Sequence, residues 1–331
     1  MEIFKNKINR RDFIRYLTAS GVGLIYGCSD DSSIPTISPG PPLQKTKIAL
    51  HKTQNREEGV TQVMELLDLQ PMAGKHVVVK PNFNTADPPP ASTHNDTLGQ
   101  LMNEIRDRGA SDITLAERSF QPFDEVIEEK AIEPLANDLD FAIKNLETDS
   151  YTEFNSAGLH WNNGFRLPDT INNAEFLVST CCLKTHHTGV ITMSLKLGVG
   201  ILPRLHMTEL HSSSSINSMI AEINLAYKPD LIVMDGVQTF ISGGPSSGVE
   251  AVGNVVVAGT DRIAIDMVGT AILKDLGSTR VLGRISELEQ INRAQELGLG
   301  IRYASQIEFV TADETSRQYA EQLAGILETE G

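Results

Sequence analysis

Short apolar runs rich in β-branched residues alternate with amphipathic segments from Thr46 to the end of the chain. We predict strands at residues 47–50, 76–80, 113–116, 175–182, 231–235, 254–258 and 307–310, and helices at 57–67, 98–108, 189–202, 215–226, 262–276 and 286–297. Strands that alternate with helices, with few hairpin turns between them, form a parallel sheet covered by helices. The sequence therefore predicts an α/β fold with a mostly parallel sheet flanked by helices, of the doubly wound type.

The first 45 residues differ from the rest and predict an export signal followed by a tether. Arg10 and Arg11 precede Phe13 and a mildly apolar run over residues 16–26, a pattern that resembles a twin-arginine export signal. The run is too short to span a membrane, which takes about 20 residues. We therefore expect a signal peptide at 1–27, the twin-arginine export machinery as a partner, and an α/β domain at 46–331.

Cys28 follows Ile25, Tyr26 and Gly27, as the acylated cysteine of a bacterial lipoprotein follows its lipobox. Residues 28–45 are rich in Ser, Pro and Asp and read as the lipidated tether. We expect an exported protein, periplasmic or at the cell surface, that a lipid on Cys28 anchors to the membrane. The alternatives are export without a lipid and an ordinary amphipathic N-terminal helix. Because twin-arginine export carries folded proteins, a metal or an organic cofactor is compatible with this route.

The net charge and the number of cysteines exclude some classes of function. The net charge of −15 argues against a nucleic-acid partner, because such proteins concentrate Lys and Arg against phosphates. Besides Cys28, the sequence holds only the adjacent pair Cys181 and Cys182, so it has no motif for an internal iron–sulfur cluster. We interpret the pair as small buried hydrophobes, with a disulfide or a redox thiol as alternatives.

The most informative segment lies where a predicted strand ends, at residues 179–196. Lys184, His186, His187 and Lys196 fall at or just after this strand end, where open α/β sheets collect ligand-binding loops. Imidazoles carry protons and bind metals near neutral pH, and a lysine binds anions or forms Schiff bases. Neighbouring residues on a strand point to opposite faces, so we favour His187 for the site unless the chain turns there. The alternatives are a loop histidine bonded to backbone and solvated lysines.

Other strand ends add basic and acidic groups. Lys80 and Asn82 flank Pro81 after one strand, and Glu117 follows the next. Thr93 and His94 open a helix, where Thr93 is a candidate N-cap and unpaired N–H groups attract anions. Each has a structural alternative, namely a surface lysine, an ordinary ion pair or a helix cap.

Two aspartates are further candidates. Asp235 follows the apolar run 231–234 and is a candidate metal ligand or general base, or a loop cap. Asp261 is predicted to cap the helix that contains Asp266 among apolar neighbours. The candidate metal ligands are thus His187, Asp235 and Asp266. The loop at 243–248 (GGPSSG) lacks the Lys-Ser/Thr ending of a phosphate-binding loop and is interpreted as flexible.

Several short motifs follow one another in a fixed order along residues 46–331. They are 77–82 (VVVKPN), 93–94 (TH), 108–110 (RGA), 184–187 (KTHH), 194–196 (SLK), 229–236 (PDLIVMDG), 243–248 (GGPSSG) and 258–266 (AGTDRIAID). This series resembles the family called domain of unknown function 362. The resemblance implies electron transfer for members with ferredoxin-like cysteine runs, which this sequence lacks. A fainter similarity, through His187, Gly189 and Lys196, is to lactate racemase-like proteins, which carry a nickel-bearing organic cofactor.

These candidates define the predicted function. We expect a pocket that binds a small anionic molecule and supports acid–base or isomerase-type chemistry, with His187, Lys184 and Asp235 as catalytic residues. The remaining candidates are assigned to substrate binding: Lys80, Asn82, Thr93, His94, Glu117, His186 and Lys196. The alternatives are a lipoprotein that binds a ligand or partner without turnover, and an accessory redox protein.

Overall fold

The computed structural model of the protein describes residues 44–331. The expected signal peptide at 1–27, the lipidation site Cys28 and all but the end of the tether lie outside the described residues. The strands are β1 (Thr46–Lys52), β2 (His76–Lys80), β3 (Asp112–Glu117), β4 (Ala142–Asn145), β5 (Tyr151–Phe154), β6 (Phe165–Pro168), β7 (Phe176–His186), β8 (Val190–Thr192), β9 (Leu231–Gly243), β10 (Gly248–Val252), β11 (Val255–Gly259) and β12 (Ile307–Val310).

Four of the described helices that accompany these strands begin at a side chain that caps the first turn. They are α1 (Arg56–Glu65), α2 (Asn95–Asp107), α3 (Phe123–Glu129), α4 (Ile132–Leu139), α5 (Asp169–Asn172), α6 (Ser194–Leu197), α7 (Met207–Ser212), α8 (Ile216–Ile223), α9 (Arg262–Asp275), α10 (Glu289–Glu296) and α11 (Glu314–Glu330). Asn55 caps α1, and Asp261 caps α9 as predicted, through a 2.9 Å bond from the Ala264 N–H to its carboxylate.

The main sheet has the strand order β12-β1-β11-β9-β7-β2-β3-β4. Neighbours along this order are parallel, except that β11 runs antiparallel to both β1 and β9. Short antiparallel strands extend it, β8 on β7 and β10 on β9, while β5 and β6 form a separate hairpin. The predicted α/β fold with a mostly parallel sheet is confirmed.

Helices cover both faces of the sheet because side chains alternate along each central strand. Val77 and Val79 of β2 pack with α1, α2 and α4 on one face. Val78 points to the other face, where it packs with α8, and α9 and α11 cover the neighbouring strands there. Each buried valine side chain contributes roughly 1.5–3 kcal/mol. The central strands are therefore mostly apolar, and most of the candidate site residues lie at or just after their ends.

The chain order creates a crevice between β2 and β7. From β2 the chain continues outwards to β3 and β4, and then returns to the opposite side of β2 as β7, from which β9 continues the other way. At such a reversal the connections after the two central strands diverge, which leaves room for a ligand at their carboxyl ends.

Some local elements differ from the predictions. The helix predicted at 189–202 is wrong: the chain turns after His186, returns as β8, and only then forms α6 and a 3₁₀ turn at Gly198–Ile201. The β-branched residues of β8 pair with Lys184–His186, so sheet pairing overrides the helical period. The C-terminal helix α11 was not predicted.

Candidate functional site

A cavity of about 520 Å³ lies at the carboxyl ends of β2, β3 and β7. Seven of the predicted site residues line it: Lys80, Asn82, Glu117, Lys184, His186, His187 and Lys196. A second cavity of about 540 Å³ lies near Lys45 and Asp261, and no histidine occurs among the described residues that line it. The first cavity therefore holds the chemistry-bearing side chains.

Lys80 and Glu117 form a buried ion pair at the floor of the cavity. The Lys80 ammonium lies 2.8 Å from the Glu117 carboxylate and 2.6 Å from the Pro81 carbonyl oxygen. Glu117 also accepts the backbone N–H groups of Phe83 and Arg118, each at 2.8 Å. Burial lowers the pKa of Lys80, and the Glu117 charge opposes this shift. The two charges neutralise each other and fix the loops after β2 and β3.

Lys184 is buried without a carboxylate partner among the described residues. Its ammonium donates to the Ala91 carbonyl and, at 3.1 Å, to the Pro245 carbonyl. Burial lowers its pKa, while the nearby Cys182 and Asp87 oppose the shift. The lysine therefore joins the loop after β2 to the loop at 243–248, and it places a positive charge at the cavity wall.

The two histidines stack on each other because the chain turns directly after His186. Their ring centroids lie 4.7 Å apart with an interplanar angle of 17°. His186 Nδ1 accepts the backbone N–H groups of Thr188 and Gly189, both at 3.0 Å, which assigns its proton to Nε2. His187 Nδ1 lies 2.9 Å from the Gly244 carbonyl oxygen, to which it donates, so its Nε2 carries the lone pair.

The opposite tautomers give the two rings different chemistry. Burial, and then the positive charges of Lys196 and Lys184, lower the pKa of His186 to about 2, so this ring is neutral and donates from Nε2. His187 is exposed and offers an unprotonated nitrogen. One ring is a hydrogen-bond donor and its neighbour is a candidate base.

Lys196 differs from the other two cavity lysines. It lies on α6, is half-buried, and forms no hydrogen bond or ion pair with the residues that the structure describes. Burial, then Lys184 and Arg118, lower its pKa to about 8. Its stem passes Gly189, where an added Cβ would lie 3.2 Å from Lys196 Cε. The stem therefore packs against Gly189, while the amine has no hydrogen-bond partner among the described residues.

Several residues that line the cavity were not predicted from the sequence. Arg118 directly follows Glu117 and donates to the Leu202 carbonyl at 2.9 Å and the Val199 carbonyl at 3.3 Å. The strand-end rule that selected Glu117 also covers Arg118. The apolar wall and a further histidine come from segments with no such signal: Phe120, Leu197, Val199, Met207 and His211.

Asp235 and His94 lie in a separate cluster on the α1 and α2 side of the sheet. Asp235 accepts from Arg56 Nε and Thr97 Oγ1, both at 2.8 Å, and from the Val237 N–H at 3.0 Å. Burial and Arg56 lower the pKa of His94. The bonds from Arg56 and Thr97 to Asp235 hold the starts of α1 and α2 against β9. Neither Asp235 nor His94 lines the cavity.

Thr93 supports the site without facing it. It is fully buried, and its hydroxyl accepts the Asn82 N–H at 2.9 Å and donates to the Thr180 carbonyl at 3.4 Å. The cap of α2 is His94, whose Nδ1 accepts the Asp96 N–H at 3.1 Å. Thr93 therefore fixes the loop after β2.

Asp266 holds the short helix that carries Lys196. The carboxylate is fully buried and accepts the backbone N–H groups of Ser194 at 2.7 Å and Leu195 at 3.1 Å. Burial raises its pKa to about 7, although the two N–H bonds oppose the shift. Asp266 is a positioning residue for α6.

The three candidate metal ligands do not form one ligand set. His187, Asp235 and Asp266 bind different backbone and side-chain partners, and no group of three His, Cys, Asp or Glu side chains within residues 44–331 is arranged to hold a metal ion. Cys181 and Cys182 are buried free thiols, and burial raises both thiol pKa values. Across the same residues, none of the helices has both the length and the apolarity that crossing a membrane requires.

The chain is similar to a known protein and matches a known family. The relative is a protein of Synechocystis sp. described as thylakoid-associated, which is 24% identical over 242 residues, covering 69% of this chain and 74% of the relative. The model of the family described as "Domain of unknown function (DUF362)" matches residues 77–271. That match covers more than half of the chain and includes every strand end that lines the cavity. The chain belongs to the DUF362 family.

Proposed function

We propose that the protein binds a small anionic molecule in the cavity at the ends of β2, β3 and β7 and transfers a proton on it. The observation that carries the proposal is the charge of the lining. Four cationic side chains, Lys80, Lys184, Lys196 and Arg118, meet a single carboxylate, Glu117, among the described lining residues. That carboxylate is already paired with Lys80.

The excess positive charge is costly unless a ligand balances it. Lys184 and Arg118 are buried and satisfy their N–H groups with carbonyl oxygens, which carry only partial charge. A bound anion would add the full charge that these carbonyls lack. Because the chain as a whole carries a net charge of −15, the positive charge of the cavity does not follow from a generally basic composition.

The histidine pair supports proton transfer. His187 Nε2 is the candidate base, and His186 Nε2–H is the candidate donor to negative charge that develops on a substrate oxygen, since both rings line the cavity. This assignment modifies the expected catalytic set, because Lys184 becomes an anion-binding residue and Asp235 a structural one.

Proton transfer is tested with pyruvate and 4-methyl-2-oxopentanoate as probes. Both carry a carboxylate, a carbonyl oxygen and an acidic C–H, and the second adds a tail for the apolar wall. We expect the protein to accelerate C–H exchange in D₂O, measured by ¹H NMR, and His187→Ala to slow it by roughly 100-fold or more. Binding with no exchange above the buffer rate would overturn the proton-transfer assignment.

Anion binding is tested separately by calorimetric titration with the same probes. We expect Lys184→Met to weaken binding about 10-fold or more, because a hydrogen bond to a charged group is lost. Lys228→Met, which removes an exposed lysine outside the cavity lining, is the matched control and should leave the affinity unchanged. Equal affinities of wild type and Lys184→Met would contradict the proposed site.

We also propose that the protein is exported through the twin-arginine machinery and anchored to a membrane by a lipid on Cys28. The pattern around Arg10, Arg11 and Cys28 supports this, and the relative's description as thylakoid-associated is consistent with membrane association. We expect Cys28→Ala to move the protein from the membrane fraction to the soluble fraction and to remove the acyl mass. Ser29→Ala is the control; unchanged fractionation of Cys28→Ala would contradict the anchor.

A further inference from the structure

We infer that Lys196 is a nucleophile that forms a Schiff base with a carbonyl-bearing anion, which makes 2-oxo acids the substrate class of the cavity. This inference rests on the proposed function and deepens it. Its basis is the contrast among the three cavity lysines.

Two of these lysines donate hydrogen bonds to protein acceptors, and the third does not among the described residues. The Lys80 amine donates to Glu117 and to the Pro81 carbonyl, and the Lys184 amine donates to the Ala91 and Pro245 carbonyls. Among residues 44–331 no acceptor engages the Lys196 amine, although its side chain faces the cavity. A free amine next to anion-binding cations is the arrangement that covalent catalysis by lysine requires.

The surroundings of Lys196 favour the neutral, nucleophilic amine. The charged and titratable groups around it are Lys184 and His186 on β7 and Arg118 after β3, and the one carboxylate among the described lining residues, Glu117, is paired with Lys80. Like charges and burial both disfavour the ammonium form. The backbone of α6, from which the Lys196 side chain extends, is fixed at its start by Asp266.

The covalent step balances without any further reagent. The lone pair of the Lys196 nitrogen adds to the carbonyl carbon while the carbon–oxygen π bond opens. The oxygen takes one proton from the amine nitrogen and one from hydronium in the solvent and leaves as water, while the nitrogen keeps its second hydrogen, so that a protonated carbon–nitrogen double bond remains. With the imine nitrogen protonated, His187 Nε2 accepts the adjacent C–H proton and the electron pair forms an enamine. His186 donates a hydrogen bond to the carbonyl oxygen during addition.

The proposal is tested by trapping. The full chain is incubated with pyruvate and sodium cyanoborohydride, which reduces an imine to a stable secondary amine. We expect one carboxyethyl group per chain, located on Lys196 by peptide mass spectrometry. Lys196→Arg keeps the charge but removes the nucleophile and should lose the adduct, whereas Lys228→Met should keep it.

A second readout remains informative if the Lys196 variant does not fold. On wild-type protein, the rate of labelling at Lys196 should rise through about pH 8, below the range in which exposed lysines react. Labelling spread over exposed lysines, or an undiminished adduct in folded Lys196→Arg, would overturn the proposal. Pyruvate binding and His187-dependent exchange without an adduct would also overturn it while leaving the proposed function intact, whereas absence of pyruvate binding would refute both.

Discussion

At the residue scale, His186 links the geometry of the site to the response of the protein to acid. Its Nδ1 accepts two backbone N–H groups of the turn that follows β7, and those bonds require an unprotonated nitrogen. The folded protein therefore resists protonating this ring, whereas the unfolded chain protonates it near pH 6.5.

Protonation of His186 should make the protein acid-sensitive in a defined pH window. The folded-state pKa is about 2, so the unfolded chain binds one more proton at any pH between about 2 and 6.5, and stability falls as pH falls through that window. From pH 6.5 to 4, we expect the unfolding free energy of wild type to fall about 3 kcal/mol more than that of His186→Asn, whose amide oxygen can accept the same bonds. Urea unfolding followed by the fluorescence of the buried Trp161 measures this, and parallel pH profiles would contradict it.

Residue identity alone does not determine the roles of the three cavity lysines. Lys80, Lys184 and Lys196 were all recognised as candidates because each lies near a strand end. Their different roles depend on partners far away in the chain, such as Glu117 for Lys80 and Pro245 for Lys184. Local sequence patterns do not encode those contacts. The sequence therefore predicted the three lysines, but not which of their amines has no hydrogen-bond partner among the described residues.

At the scale of elements, the 3₁₀ turn Gly198–Ile201 must lie directly against the buried ion pair. A Cβ at Gly200 would lie 2.8 Å from Lys80 Nζ and 3.0 Å from Glu117 Oε1. Only a residue without a side chain allows this approach while the pair stays intact. The turn thereby closes the cavity floor over β2 and β3.

Gly200→Ala should therefore destabilise the protein by about 1–3 kcal/mol and weaken anion binding, because the ion pair must shift. Gly325→Ala is the matched control, since an added Cβ at this exposed position in α11 meets nothing within 4 Å. That substitution should stabilise the helix by roughly 0.5–1 kcal/mol. Chemical unfolding and titration with pyruvate measure both effects; a Gly200→Ala protein as stable as wild type would refute the packing argument.

The attachment of α6 to α9 through Asp266 has the opposite pH dependence from His186. Its carboxyl pKa is raised to about 7 in the folded state, so between about pH 4 and 7 the folded protein binds the extra proton. Relative to Asp266→Asn, wild type should lose up to about 4 kcal/mol of stability as pH rises across this window and stay level above it. The unfolding free energy of both proteins at several pH values checks this, and a difference that is constant with pH would contradict it.

Elements whose sequence pattern agrees with their tertiary surroundings were predicted best. The strands at His76–Lys80 and Ile307–Val310 are confirmed to the residue. The helix predicted at 189–202 was wrong because its first apolar residues belong to the short strand β8 and the next ones to the short helix α6. Asp235 was placed at a strand end, but β9 continues to Gly243, so this side chain faces α1 and α2 instead of the cavity.

At the scale of the whole molecule, the site follows from the order of the strands. The reversal between β2 and β7 brings the ends of distant segments together, and the α/β pattern of the sequence predicted this gathering for seven candidates. It did not predict Met207 or His211, because the short helix α7 that carries them has no pattern that points to the cavity, and Arg118 was missed although it directly follows Glu117 at the end of β3. Membership of the DUF362 family extends over the same strand ends.

Anion binding in the cavity can be located directly by anomalous X-ray diffraction from crystals soaked in selenate. Selenate is a compact anion that reports charge alone, without chemistry. We predict an anomalous selenium peak inside the cavity, within hydrogen-bond reach of Lys184 or Lys196, that disappears in the Lys184→Met, Lys196→Met double variant. Selenate bound only at other surfaces, with the cavity free of anomalous density at saturating concentration, would contradict the account.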